Sequence, residues 1–332
     1  MMNLSGKRVL VTGAGGFIGS PLTELLGHAG AAVRAFCKYN GRGDLGKISQ
    51  LPETVFRQLE IQSGDLQDPF VVDRAVEDRD IVFHLAALIG IPYSYLAPAD
   101  YVATNITGTL NVLEACRRHQ VTRVLQTSTS EVYGSAVEIP MNEKHRLHPQ
   151  SPYAASKVAS DSLALSYFRS FDTPVVVVRP FNTFGPRQST RAVIPTIFRQ
   201  LMDTGELKLG SLTPRRDFTY VTDTARGFIE LAQCDSAIGE TVNLGTGMSH
   251  SIEEIAGTCM KIAGKTSVIH CENKRIRPDK SEVDHLQADV SKVKQLCNWS
   301  ANIDFETGLR LTFEDLKLAP ASLTSGLSLI HI

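Results

Sequence analysis

A doubly wound, parallel α/β sheet followed by a smaller second lobe is the fold the sequence predicts, and three observations predict it. Short β-branched runs alternate with segments of helical period through the first half of the chain. A glycine-rich stretch, VTGAGGFIGS, joins the first such run to the first helical segment. Beyond about residue 182 the alternation gives way to helices separated by loops rich in Gly, Pro and Arg.

Taken in order, RVLVTG (8–13), AAVRAF (31–36), VFRQL (55–59), DIVFHLAA (80–87) and RVLQTST (123–129) read as strands. Segments near 17–29, 69–77, 100–119 and 152–171 read as helices between and after them. PVVVVRPFN (174–182) continues the sheet, and helices are expected at 191–203, 222–233 and 251–263. TVNLG (241–245) reads as a return to the sheet. The expected division is therefore a dinucleotide-binding domain over 1–182, with 218–246 returning to it, and a substrate lobe over 183–217 and 247–316. Residues 317–332, ending in APASLTSGLSLIHI, carry no cap or period and read as an unstructured tail or a vector-derived scar.

With 332 residues, 42% of them hydrophobic, and a formal charge of -1, the chain can bury a large core and offers no electrostatic footprint for nucleic acid. The six cysteines lack C-x-x-C spacing and read as reduced, mostly buried thiols. His145 and His148 stand in a loop beside Pro149 without a cysteine or acid at metal-ligand spacing, so no metal is expected. The start, MMNLSGKRVLVTG, reaches a strand too soon for a signal peptide, and no apolar run is long enough to span a bilayer. A cytoplasmic protein without membrane partners is the expectation.

In VTGAGGFIGS, Gly13 permits the tight turn, Gly16 allows backbone amides to approach a pyrophosphate, and Gly19 lets the helix pack closely. Phe17, Ile18, Leu66, Leu85, Ala86 and Ala87 complete the expected cofactor wall. An acidic residue that would bond a ribose 2′-hydroxyl is missing at the end of the second strand, where AFCKYN places Lys38. The cofactor is thus NAD or NADP, with Lys38 inclining the choice to NADP. Asp65, after the third strand, could receive an adenine amino group or cap the helix that begins at Pro69. In SPYAASKVAS, Tyr153 and Lys157 share one helix face, where an ammonium beside a phenol favours phenolate and lets the tyrosine accept a hydroxyl proton. His84 reads as a packed structural residue.

TGAGGFIG, HLAA, TSTSEVYG, YAASK, RPFNTFGPR and RRDFTYVTD, in this order from about Lys7 to about Leu311, resemble the extended short-chain dehydrogenase/reductase family of nucleotide-sugar epimerases, 4,6-dehydratases and decarboxylases. The resemblance implies a two-lobed fold, a bound nicotinamide cofactor, a nucleoside-diphosphate sugar in the cleft, and a homodimer built on the helices near 100–119 and 152–171. It also implies roles for Thr129 at the sugar O4, for Tyr153 and Lys157 as the oxidising pair, and for Asn182, Arg216 and Arg277 at the substrate diphosphate.

Glu131 directs the choice of reaction. A 4-ketose is acidic at C5, and a carboxylate poised there can remove that proton and drive loss of the C6 hydroxyl; a 4-epimerase needs no such base. Many 4,6-dehydratases carry Asp before this Glu, whereas here Ser130 precedes it. The expectation is that Glu131 passes the C5 proton to the C6 oxygen while Ser130 orients that oxygen. HLAALIGIPYSY, RPFNTFGPRQSTRAVIPT and LGSLTPRRDFTYV look most like the NDP-N-acetylglucosamine 4,6-dehydratases of legionaminic acid and related aminosugar pathways. UDP-glucuronate decarboxylases share the TSTSE and FNTFGPR wording, 4-epimerases share the fold, and a non-catalytic dinucleotide sensor is the reading from another functional class.

Overall fold

The computed structural model of the chain describes residues 3–272 and 275–318. β1 (Arg8–Thr12) passes through the glycine loop into α1 (Gly19–His28) and β2 (Ala32–Lys38). A helical turn, α2 (Glu53–Phe56), precedes β3 (Glu60–Gly64), and α3 (Pro69–Val76) precedes β4 (Ile81–His84). The short α4 (Ile91–Leu96) and α5 (Pro98–Tyr101) lead through a π-helical stretch, Val102–Thr107, into α6 (Gly108–Arg118). There follow β5 (Arg123–Thr127), α7 (Pro152–Phe171) and β6 (Val175–Pro180).

These strands, joined by the later β10 (Thr241–Leu244), form a seven-stranded sheet in the order β10-β6-β5-β4-β1-β2-β3, parallel throughout. The strands at its centre are buried on both faces, which is why they read as continuous apolar runs. The order reverses between β1 and β4, so a crevice opens beyond the carboxyl ends of those two strands, where open α/β sheets receive ligands.

Residues 55–59, expected to be a strand, instead finish α2 and approach β3. Val55 closes against α1 so tightly that a Cβ on Gly27 would lie 2.9 Å from its Cγ1, and residues 57–59 form the turn out of α2. The actual strand, Glu60–Gly64, is an edge strand, largely exposed, and it carries little of the apolar signal by which central strands are found.

The remaining elements are β7 (Asn182–Phe184), α8 (Val193–Asp203), β8 (Leu207–Leu209), β9 (Arg215–Tyr220), α9 (Val221–Ala232), β11 (Ser249–Ser251), α10 (Ile252–Ala263), β12 (Ile269–Cys271), β13 (His285–Leu286), α11 (Ser291–Cys297) and α12 (Phe305–Leu318). β9 pairs with β7, β11 and β13 in a small second sheet, and β8 pairs with β12. Phe184, Phe198, Leu201, Phe218 and Leu309 sit in the core between this sheet and α8, α10 and α12. The chain weaves between the two bodies: Phe228 of α9, Leu244 of β10, Val293 of α11 and Trp299 belong to the core of the large sheet. Buried Asp217 fastens the crossings, accepting from the amides of Thr246 at 2.8 Å, Gly247 at 2.9 Å and Ala288 at 3.2 Å.

α12 runs to Leu318, two residues into the stretch read as a tail, because Leu316 is buried and Lys317 pairs with Glu314 one turn back. The rest of that stretch, 319–332, lies outside the described residues. All six cysteines are free thiols, five of them buried and Cys271 exposed. Among the described residues no helix is long and apolar enough to cross a membrane, and no group of three or more His, Cys, Asp or Glu is arranged to hold a metal.

Candidate active site

A cleft of about 620 Å³ follows the crevice between β1 and β4 and continues to the second lobe. Gly13 begins it with φ +72°, and a Cβ there would stand 2.9 Å from the backbone of Ala86, so only glycine allows the loop to lie against the end of β4. A Cβ on Gly19 would fall 2.1 Å from the carbonyl oxygen of Gly13; the close approach that demands glycine is between helix and loop. α1 starts without a capping side chain and without an acid in its first turn. The amide of Ser20 donates to the carbonyl of Gly16 at 3.1 Å, and the positive end of the helix dipole is left without a compensating acid, which is the fit a dinucleotide pyrophosphate requires.

Phe17, Ile18, Leu66, Leu85, Ala86 and Ala87 line the same cleft with Lys38 and Asp65. Asp65 does not cap the helix after it. That role falls to Asp68, which accepts from the amides of Phe70 at 2.9 Å and Val71 at 3.3 Å, while Asp65 accepts from Gln67. The loop after Lys38 also reaches the cleft, through Asn40, Asp44, Leu45 and Gly46. Asn40 organises it, accepting from the amides of Arg42 and Asp44, and the amide of Lys47 donates to Gly15 at 2.8 Å, docking this loop on the glycine loop. His84 is enclosed between the hydroxyls of Thr12 at 2.8 Å and Thr109 at 3.1 Å. Burial holds its pKa down to about 3, so it is a neutral packing residue.

Farther along the wall, Thr129 caps the tight turn Ser130–Tyr133 by accepting from the amide of Glu131 at 3.2 Å. The Thr129 side chain also acts on the phenol of Tyr153, holding its pKa down against burial. α7 presents that phenol because Ser151 caps its first turn and Pro152 occupies its first position. Burial pushes the Tyr153 phenol up and the Lys157 ammonium down to about 8, with the nearby charge of Asp161 opposing the second shift. Tyr153, Thr129 and Glu131 line the cleft, whereas buried Lys157 stands behind Tyr153 on the same helix face. Ser130 is 2% exposed and is not among the lining residues.

Glu131 retains 12% of its side-chain exposure and lies 3.9 Å from Nη1 of Arg277, which in turn is 3.8 Å from Glu282. That Nη1 is buried and has no hydrogen-bond partner among the described residues. Arg216 is packed deeper, outside the cleft lining, donating to Glu282 at 3.3 Å and to the carbonyl of Arg215 at 3.0 Å. Burial lowers its pKa while Glu131 and Glu282 act in the opposite direction. Asn182 lines the cleft at the start of β7.

One cleft thus gathers the glycine loop, the Thr129–Glu131–Tyr153 corner, Asn182 and Arg277, with Lys157 and Arg216 behind its wall. Sequence reasoning missed Glu282, which sits between the two arginines, and the loop Asn40–Gly46. It also missed Asp161, although the spacing Tyr153, Lys157, Asp161 repeats a helical turn and could have revealed it.

The family model of the GDP-mannose 4,6-dehydratases matches residues 10–312. A dTDP-glucose 4,6-dehydratase of Streptomyces niveus is 32% identical over an alignment that covers 92% of this chain and 92% of its own. A UDP-N-acetyl-α-D-glucosaminuronate decarboxylase of Bacillus cytotoxicus is 31% identical, covering 93% of this chain and 97% of its own. The crystal structure of the Thermus thermophilus UDP-glucose 4-epimerase in complex with NAD superposes with a TM-score of 0.83 at 28% identity, over 94% of this chain and 100% of that one.

Proposed function

The chain belongs to the GDP-mannose 4,6-dehydratase family, among the nucleotide-sugar dehydratases, epimerases and decarboxylases, and we propose that it catalyses 4,6-dehydration of a nucleoside-diphosphate hexose, with an N-acetylglucosamine nucleotide as the first candidate. The observation that carries this reading is the carboxylate of Glu131 at the cleft wall, beside Thr129 and within the field of Tyr153.

A nicotinamide dinucleotide, held by the glycine loop with Leu66, Leu85 and Ala86 along its wall, would supply transient removal of hydride from C4 and its return to C6. Thr129 and Tyr153 hold the sugar at O4, and Tyr153 takes the O4 proton with Lys157 behind it. The ketone so formed at C4 acidifies C5. Glu131 removes the C5 proton and delivers it to the C6 oxygen, which departs as water, and C5 is later reprotonated. Because Ser130 lies behind the wall, the proton transfer is assigned to Glu131 and any influence of Ser130 on that oxygen is indirect. Arg277 offers its unpartnered N–H to the substrate diphosphate and Asn182 stands on the same wall, whereas Arg216, behind that wall and paired with Glu282, acts on the anion site only through its charge.

One observation favours a second reading. Nη1 of Arg277 beside Glu131 is a cation that a C6 carboxylate could use, which suits a glucuronate decarboxylase. Against it, a β-keto acid loses carbon dioxide without a base to deprotonate C5, so a decarboxylase would leave Glu131 without that task. Mass spectrometry after separate incubations with UDP-GlcNAc, GDP-GlcNAc, UDP-glucose and UDP-glucuronate discriminates. Loss of water from a hexosamine nucleotide is expected; loss of carbon dioxide from the glucuronate alone makes the protein a decarboxylase, and unchanged mass with an inverted ring carbon makes it an epimerase.

For the cofactor, Lys38 at the cleft favours NADP, since a cation without a competing ribose-binding acid at that strand end suits a 2′-phosphate. Lys38→Ala is expected to weaken NADP binding by about tenfold, the loss of one charge-assisted hydrogen bond, and to leave NAD binding unchanged in calorimetric titrations. Equal weakening of both would remove Lys38 from the adenosine end. The reading includes a homodimer through the helices at 98–118 and 152–171, where Val102, Leu110 and Phe171 are exposed; light scattering at twice the chain mass is the matching result.

A further inference from the structure

We infer that Asp161 is a positioning residue for the Tyr153–Lys157 pair: anchored through a single oxygen by Arg179 and Ser128, its carboxylate fixes the charge of the lysine one helical turn before it. The inference rests on the reading of Tyr153 and Lys157 as the oxidising pair.

Tyr153, Lys157 and Asp161 follow one another at four-residue intervals on one face of α7, and all three are buried, Asp161 to 1% exposure. Oδ2 of Asp161 takes every bond the carboxylate makes: Ser128 Oγ at 2.7 Å, Arg179 Nε at 3.2 Å and Arg179 Nη2 at 3.0 Å. Oδ1 is buried and has no hydrogen-bond partner among the described residues. A carboxylate serving only the guanidinium would place both oxygens in its fork. Here both arginine nitrogens converge on one oxygen and the other is left over, an expensive arrangement that a purely structural pair has no reason to keep.

Asp161 is also held from behind. Arg179 donates to the hydroxyl of Tyr133 at 3.1 Å and lies 5.0 Å over that ring. Tyr133 donates to Asn243 on β10 at 2.7 Å, and Asn243 donates to the carbonyl of Met141 at 3.0 Å. The catalytic helix is thereby fixed to β6, β10 and the loop after β5 through a chain of buried polar bonds. Of the titratable and charged groups around this pair, Asp161 on its own helix and His84 from β4 act on the lysine, Glu131 from the turn after β5, Tyr101 from α5 and Asp161 act on Tyr153, and Arg179 from β6, with Tyr133 beyond it, is bonded to Asp161. His84 is neutral, and the attraction that opposes desolvation of the Lys157 ammonium comes from Asp161.

The test is the pH dependence of nicotinamide reduction in single turnovers of the cofactor-loaded protein, for Asp161→Asn and for Asp161→Asn/Arg179→Met, which removes the pair together. In Asp161→Asn the alkaline limb is expected to move down by about one pH unit, and by less in the double variant, which removes the neighbouring cation as well, with KM for the sugar nucleotide unchanged and with Asp161→Glu restoring the limb. A second readout needs no turnover: the ¹³Cε resonance of Lys157, assigned by its absence in Lys157→Met, titrates at lower pH in the same variants. Folded variants whose limb and resonance do not move overturn the inference, and so does loss of the fold in both, which assigns Asp161 to stability alone. Wild-type rates in Tyr153→Phe and Lys157→Met would instead defeat the reading of the oxidising pair.

Discussion

Replacing Tyr153 with Phe is expected to lower turnover by about 10²- to 10⁴-fold, the range over which a positioned acid–base group acts, while leaving sugar-nucleotide affinity within a few-fold of the wild type. The ring itself is packed, edge-on to Tyr101 with centroids 6.2 Å apart, so Phe keeps the contacts and loses the hydroxyl alone. What disappears is the acceptor for the sugar O4 proton. The wild-type rate should also fall as pH rises through about 8, because Lys157 supports the phenolate only while it is an ammonium, and burial has brought its pKa down to that value. The sign follows from the charge: below about 8 the ammonium is present and the pair is competent, and above it the field that favours phenolate is gone. Turnover of the Phe variant above one-tenth of wild type would remove Tyr153 from the chemistry.

The parts of this arrangement that rest on local chemistry are legible in the sequence. The helical pattern over 152–171 coincides with α7, Pro152–Phe171, because Ser151 and Pro152 mark its start and Asp172 ends it in a left-handed conformation. The glycine loop and the Tyr153–Lys157 spacing are visible for the same reason: each is set by a few consecutive residues. The small second sheet is not, since its strands are two to six residues long and find their partners far away in the chain. β3 hides because an edge strand has no need of an apolar run. The environment of a known residue is the hardest to read. Arg216 and Arg277 enter through the family resemblance, whereas the presence of Glu282 between them, the burial of Ser130 and the unpaired oxygen of Asp161 follow from how separate segments pack against one another.

The substitution that separates dehydration from oxidation is Glu131→Gln. Gln keeps the size of the side chain and removes its capacity to accept a proton, so the variant should still reduce its nicotinamide when given the sugar nucleotide, through Thr129, Tyr153 and Lys157, and then stop at the 4-ketone. Water loss is expected to fall by about 10²- to 10⁴-fold, and incorporation of solvent deuterium at C5 should fall with it, because both begin with the same proton. The contact with Arg277, 3.9 Å from the carboxylate, gives the experiment a control. If Glu131 served only to hold that guanidinium, its replacement would raise KM for the diphosphate and leave the ratio of water loss to nicotinamide reduction intact. If it is the C5 base, the ratio collapses while KM changes little. Deuterium exchange and water loss that both persist in the variant would leave the 4,6-dehydratase reading without its base, and the arginine beside an unneeded carboxylate would then point to the C6 acid of a glucuronate as the group this corner was built to receive.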